Sequence, residues 1–337
     1  MTASMSRRSI VKALAAGLVL LSAVIGRPDL SRAAEDNDWQ SWTTDGAVTN
    51  GIIGRIWSVE NRAFIEPSAL VDSLKDARFV LLGETHDNPA HHRLQAFLTG
   101  AAAPERPATV VMEMLTEDQA PALEKFRTSP DRSAETFGKT VSWEKSGWPD
   151  YAIYRPIIEA ALKRGADIRA GLPGKTQTRA IGKDGLSSLS EAQQKDLRLS
   201  AGLPEGLATD LKDEIITSHC DLLPDAMVPN MMAVQRYRDA YLADALRKTP
   251  ADGLAILIAG GGHVRKDRAV PFYLEPSDGA AVTVNLVEID PERTEAEILA
   301  DARENKTAHY IWFTPKIDRE DPCEALRKRF SDKKKDG

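Results

Sequence analysis

Cysteine is scarce: Cys220 and Cys323 are the two in 337 residues. Neither stands in a C-x-x-C or a C-x-x-C-H, so covalent attachment of a c-type haem is excluded. The two can pair in an oxidising compartment. Sequence alone does not say whether their Cα atoms come close enough. Positive charge is not in excess. Lys and Arg number 44 against 50 Asp and Glu, a net charge of −6. A nucleic-acid partner is therefore not expected, because phosphate binding needs a basic face. A P-loop and a G-x-G-x-x-G are both missing, which argues against nucleotide binding. The apolar stretch from Ala13 to Ile25 runs about a dozen residues, short of the roughly 20 that a membrane span needs.

That stretch follows Ser6-Arg7-Arg8-Ser9-Ile10-Val11-Lys12 and leads to Ser31-Arg32-Ala33. A paired arginine, a moderately apolar run and small residues before a cleavage point make a twin-arginine export signal. Residues 1–34 are read as that signal, with cleavage near Ala33 and a periplasmic mature chain. No cysteine lies near the cleavage point, so no lipid anchor is expected. Residues 326–337 read as a charged tail.

In the mature chain, short apolar runs alternate with helical patterns. Arg78 to Leu82, Thr109 to Met112 and Leu254 to Ala259 read as strands buried on both faces. Further strands are expected over Ile52 to Val59, Asp167 to Ala170, Val282 to Ile289 and His309 to Phe313. Asn88 and Pro89 make a helix start. Tyr151 to Arg164 and Met227 to Arg247 read as helices, 130–150 as an irregular insertion, and 175–223 as a polar helical lid. The fold expected is α/β: a mostly parallel sheet flanked by helices, with a helical insertion or lid.

In such a sheet, ligands bind beyond the carboxyl ends of the strands. The first buried strand turns into Gly83-Glu84-Thr85-His86, the second into Glu113, and the third into Gly260-Gly261-Gly262-His263. Glycine at these turns tolerates positive φ and close approach of another group. Two glutamates and two histidines at one rim can do three things. Glu84, His86, Glu113 and His263 can bind a divalent metal such as Mn, Co or Zn. They can supply a general base and its orienting partner. They can line a haem pocket, with a histidine or a neighbouring tyrosine on iron. A buried polar network that merely satisfies the strand ends is the bland alternative.

Of His91 and His92, at most one can face the site, since adjacent helical residues point about 100° apart; the other is expected in solvent. Arg265, Lys266 and Arg268 form a cationic loop that can hold a carboxylate or a haem propionate. Met227, Met231 and Met232 are expected in the core. His219 reads as a surface or helix-end residue and His309 as structural.

The run Leu81-Leu82-Gly83-Glu84-Thr85-His86-Asp87-Asn88-Pro89-Ala90-His91-His92 resembles the first signature of ChaN-like haem-binding uptake proteins. These belong to the Tiki, TraB and erythromycin esterase superfamily, marked by two G-x-x-H motifs with a glutamate between them. Gly147 to Tyr151, Tyr154 to Pro156, Gly262 to Pro271 and Trp312 to Cys323 are similar as well, so the resemblance spans residues 45–325, with a helical subdomain over 175–250. Gly261 departs from the pattern, where asparagine is expected, and the lipobox of some relatives is absent. The resemblance implies a periplasmic protein that binds haem and serves haem or iron uptake. A homodimer with haem between subunits and a haem-uptake receptor are the partners it implies. It also implies a tyrosine on iron, for which Tyr151 and Tyr154 are the candidates, beside His86, His263 and Arg265 in the cofactor pocket. Related branches make a metal-dependent, protease- or esterase-like hydrolase the alternative.

Overall fold

The structure is a computed structural model that describes residues 51–321 with 323, 324 and 327. The expected export signal and nearly all of the charged tail lie outside the described residues. The chain enters as an antiparallel pair, β1 (Ile56–Ser58) and β2 (Ala63–Ile65). Then come β3 (Phe79–Glu84), β4 (Ala108–Thr116), β5 (Asp167–Leu172), β6 (Leu254–Gly260), β7 (Ala281–Ile289) and β8 (Tyr310–Pro315). All eight form one sheet in the order β2-β1-β8-β7-β3-β6-β4-β5. The run from β8 to β5 is parallel, and β1 joins β8 antiparallel.

The helices between them are α1 (Pro67–Ser73), α2 (Pro89–Ala101), α3 (Ala120–Thr128), α4 (Ala134–Thr140) and α5 (Tyr151–Lys163). Four more, α6 (Lys175–Asp184), α7 (Glu191–Asp196), α8 (Glu205–Ser218) and α9 (Val228–Arg247), fill the connection from β5 to β6, and α10 (Glu295–Glu304) precedes β8. The expected α/β class and the helical insertion are both present. Asn88 caps α2 as its position predicts, accepting the Ala90 N–H at 2.8 Å.

Successive side chains of a strand point to opposite faces. Val80, Leu82, Val110, Met112, Ile256 and Ile258 enter a core with Leu94 and Leu98 of α2 and Ile157 and Ile158 of α5. Phe79, Leu81, Val111, Leu257 and Ala259 enter a second core beneath Val234, Ala240 and Leu246 of α9. Each such large side chain contributes roughly 1.5–3 kcal/mol on burial. Both faces of the central strands are covered, which is why they read as unbroken apolar runs. Glu84 continues the series of Val80 and Leu82, towards α2 and α5. Glu113 continues the series of Val111, towards α9.

Four expectations need correction. The strand expected over Ile52 to Val59 is confined to Ile56–Ser58, because residues 51–54 form a turn. β3 runs past Gly83 to include Glu84. β4 does not stop at Glu113, because Met114 and Leu115 are buried and carry it to Thr116, with a register break between Met112 and Thr116. The insertion over 130–150 is partly ordered, holding α4 and a short 3-10 turn at Trp143–Lys145. Cys220 and Cys323 pair, with Cα atoms 5.6 Å apart. No helix among the described residues is long and apolar enough to cross a membrane.

Candidate functional site

Glu84 is buried at the end of β3 and gathers three side chains. His86 Nδ1 lies 2.9 Å from its Oε1, and the Tyr154 hydroxyl donates to the same oxygen at 2.8 Å. His92 Nδ1 lies 3.2 Å from Oε2. Burial works against this carboxylate, but His92 and His86 outweigh it and hold its pKa far below the ordinary range. His86 is the exposed member of the group, with 37% of its side chain accessible. Burial opposes its protonation, yet Glu84 and Glu113 raise its pKa. With Nδ1 held by Glu84, Nε2 is left without a hydrogen-bond partner among the described residues.

Glu113 and His263 form the second pair. Their closest atoms, His263 Nε2 and Glu113 Oε1, are 3.3 Å apart. The other carboxylate oxygen, Oε2, accepts the Gly260 N–H at 2.7 Å. On the far side of the imidazole, Nδ1 meets Asp239 Oδ1 at 2.6 Å, and Gln235 approaches at 3.3 Å. Burial disfavours the imidazolium, but the two carboxylates win and raise the His263 pKa to about 10. Burial likewise opposes the Glu113 anion, and His263, His86 and the Gly260 N–H bring its pKa down to about 2. Asp239 is pushed up by its burial, only partly offset by His263. Of the two acids on His263, Glu113 therefore holds its charge more firmly.

The two pairs meet at Gly260. A Cβ there would stand 2.9 Å from His86 Nε2 and 3.6 Å from Glu113 Oε2. Glycine is required for closeness here. Its neighbour Gly261 faces Asn285, whose Oδ1 would lie 2.9 Å from an added Cβ. The departure from the expected asparagine thus has a local reason: Asn285 holds the space a side chain at 261 would need.

Other expectations fare differently. Tyr154 is fully buried, and its hydroxyl serves Glu84 Oε1 and the His86 carbonyl. Tyr151 donates to the Ala134 carbonyl at 2.5 Å. Arg265 bonds to Asp210 at 2.8 Å and Asp267 at 2.7 Å rather than to either pair. Arg268 is also committed, to Asp210 and Glu214 of α8. Neither His91 nor His92 is solvated, which corrects the expectation for the outer one. His91 accepts the Thr85 N–H at 2.7 Å and meets Thr314 at 2.8 Å, because β8 lies against this side of α2. Burial pushes its pKa down to about 3. Met231 and Met232 pack on Leu211 and Ile215, but Met227 is exposed. His219 ends α8 and His309 bonds Thr283, both as expected.

Glu84, His86, Glu113 and His263 come to one rim as two neutralising pairs. Among the described residues, no three His, Cys, Asp or Glu side chains group so as to hold a metal ion. The open donor is His86 Nε2.

A family model described as haem-binding uptake, Tiki superfamily, ChaN, matches residues 70–274. The chain belongs to this family. A solved ChaN of Campylobacter jejuni, described by its cofacial haem binding, is 20% identical with a TM-score of 0.60, covering 76% of this chain and 95% of that one. That likeness is one of fold. An erythromycin esterase, EreC, mutated and in its open conformation, matches at 15% identity and a TM-score of 0.38, over 68% of this chain and 76% of its own. The type III effector HopBA1 matches at 12% identity and a TM-score of 0.39, over 80% of this chain and all of its own. No curated protein matches.

In this ChaN-family chain, sequence reasoning missed three contributors to the rim, Asp239, Gln235 and Trp148, and left open which of His91 and His92 would join them; it is His92 that meets Glu84. The Trp148 ring sits edge-on to His86, with centroids 4.8 Å apart. Asp239 had a readable signal. It lies three and seven residues before Leu242 and Leu246, on the buried stripe of α9, where a charge needs a partner. His92 shares α2 with Gln95, a buried amide that donates to the Leu82 carbonyl. Nothing in the sequence marks Trp148 as the neighbour of His86.

Proposed function

We propose that this chain binds haem in the periplasm, in the service of haem or iron uptake, and that His86 is its iron ligand. One observation carries the residue assignment. The His86 imidazole is anchored through Nδ1 by Glu84 and is part-exposed, with Nε2 unpaired. A carboxylate on the far nitrogen fixes the tautomer that offers Nε2 to a metal. His263 has both nitrogens taken by acids. Tyr154 and Tyr151 spend their hydroxyls on protein acceptors. In this reading Tyr154 and Glu84 position His86, and Trp148 lies beside it. Haem would supply the iron that the protein carries. Family membership supports the ligand class, and the Cys220–Cys323 bond suits an oxidising compartment reached by the expected 1–34 signal.

Titration of the purified chain with ferric haem should shift the Soret band. His86→Ala should abolish the shift or weaken binding by about tenfold or more, the scale of losing a metal-site interaction. A wild-type chain without any Soret shift at micromolar concentration overturns the reading. Sedimentation with and without haem tests the homodimer. A pull-down on haem-uptake receptors tests that partner.

The same Glu84–His86 pair favours a second reading. A carboxylate-anchored imidazole with a free nitrogen is also the arrangement of a general base, so the chain would be an esterase- or protease-like hydrolase. Ester cleavage lost in His86→Ala and undiminished by chelator would support this over the metal-dependent form.

A further inference from the structure

Arg265 and Arg268 of the cationic loop are paired with acids, but another group of cations is not. A cavity of about 400 Å³ opens past the carboxyl ends of β4 and β5, between α6, α9 and the loop of Trp148. Trp148, Leu172 and Pro173 give it an apolar wall. Lys175, Arg179 and Arg238 line it too, and none of its lining residues is acidic. These three side chains have no hydrogen bond or ion pair among the described residues. Asp118, which accepts the Lys175 backbone N–H at 2.9 Å, lines the adjoining cavity instead.

Three unpaired cations around one cavity repel each other and favour an anion between them. Guanidinium groups match carboxylates in shape, with paired donors. The apolar wall suits a ligand with a broad hydrophobic body. Trp148 joins the cavity to His86, its ring being in edge contact with the imidazole. Arg238 precedes Asp239, the acid that holds His263, so the same turn of α9 supports both places.

We propose that this cavity receives the carboxylate arms of a porphyrin, and that Lys175, Arg179 and Arg238 select for the free acid. The inference rests on the haem reading for its ligand and extends it to residues beyond the two G-x-x-H motifs.

The test compares metal-free protoporphyrin IX with its dimethyl ester, in the same dilute detergent, by quenching of tryptophan fluorescence in the full chain. Ferric haem is titrated in parallel by its Soret band. The free acid should bind, and the ester should bind about tenfold more weakly, or worse, a factor worth about 1.4 kcal/mol. The double variant Arg179→Gln, Arg238→Gln should erase the difference, and so should Lys175→Gln in part. Rising salt should weaken the free acid alone. Equal binding of acid and ester, with a normal Soret shift, overturns the cation assignment and leaves the haem reading standing. Discrimination between acid and ester without a Soret shift does the reverse. Failure of every probe overturns both.

Discussion

Gly260 and His86 share a space that admits no methyl group: a Cβ at 260 would stand 2.9 Å from His86 Nε2. Gly260→Ala should therefore push the imidazole off its position over the strand end. The expected cost is about 1–3 kcal/mol of stability, the range for overpacking, with a weakened Soret response to haem. Urea unfolding and haem titration of the variant check both. Unchanged values would mean that His86 moves aside freely and is not held by Glu84.

Asp239→Ala removes one of two acids from a buried imidazolium. Breaking a buried pair from one side costs about 3–5 kcal/mol. Asp239→Asn keeps a hydrogen-bonding group and should cost less. In either variant the His263 pKa should fall, because one of the carboxylates that raise it is gone. Histidine proton resonances followed against pH read this directly. A His263 titration that does not move contradicts the assignment.

The pH dependence of stability has a definite sign. His263 rises from an ordinary value near 6.5 to about 10 on folding. Its contribution is fully present below pH 6.5 and is lost as pH climbs through about 10. Glu113 falls from 4.5 to about 2. Its contribution is present above pH 4.5 and is lost as pH drops through about 2. The midpoint of urea unfolding should thus decline in both directions from the neutral range. His263→Gln should flatten the alkaline limb and also shrink the acid limb, because His263 is the main group that holds the Glu113 pKa low.

Reduction of Cys220–Cys323 should lower stability by roughly 2–5 kcal/mol, since the bond closes a long loop. The two residues are 103 apart in sequence. Thermal unfolding with and without a reductant measures the effect. Cys220→Ser with Cys323→Ser should match the reduced protein.

Much of this is legible in the sequence. The apolar runs at 79–82 and 254–259 announce central parallel strands because both faces are covered. Glu84, His86 and His263 follow them directly, so their meeting at the carboxyl rim follows from topology. Glu113 was legible as a rim residue but not as an interior strand position, since the continuation through Met114 and Leu115 depends on what packs there. The error over His91 and His92 has one cause. Solvent exposure of one helical neighbour holds only if one face is open, and here β8 closes the second face. The division of the four residues into two pairs was not legible. Parity alone separates Glu84 from Glu113; which partners each meets depends on the helices that cover the two faces, α5 over Glu84 and α9 over Glu113.

Cys220 and Cys323 have one more consequence, topological rather than energetic. Between them the backbone becomes a covalent ring, and that ring contains Asp239, Gly260 and His263 but not Glu84, His86, Glu113 or Tyr154. Half of the rim is circular chain and half is linear. A protease cut in the exposed segment 291–294 leaves the molecule in one piece until a reductant opens the ring.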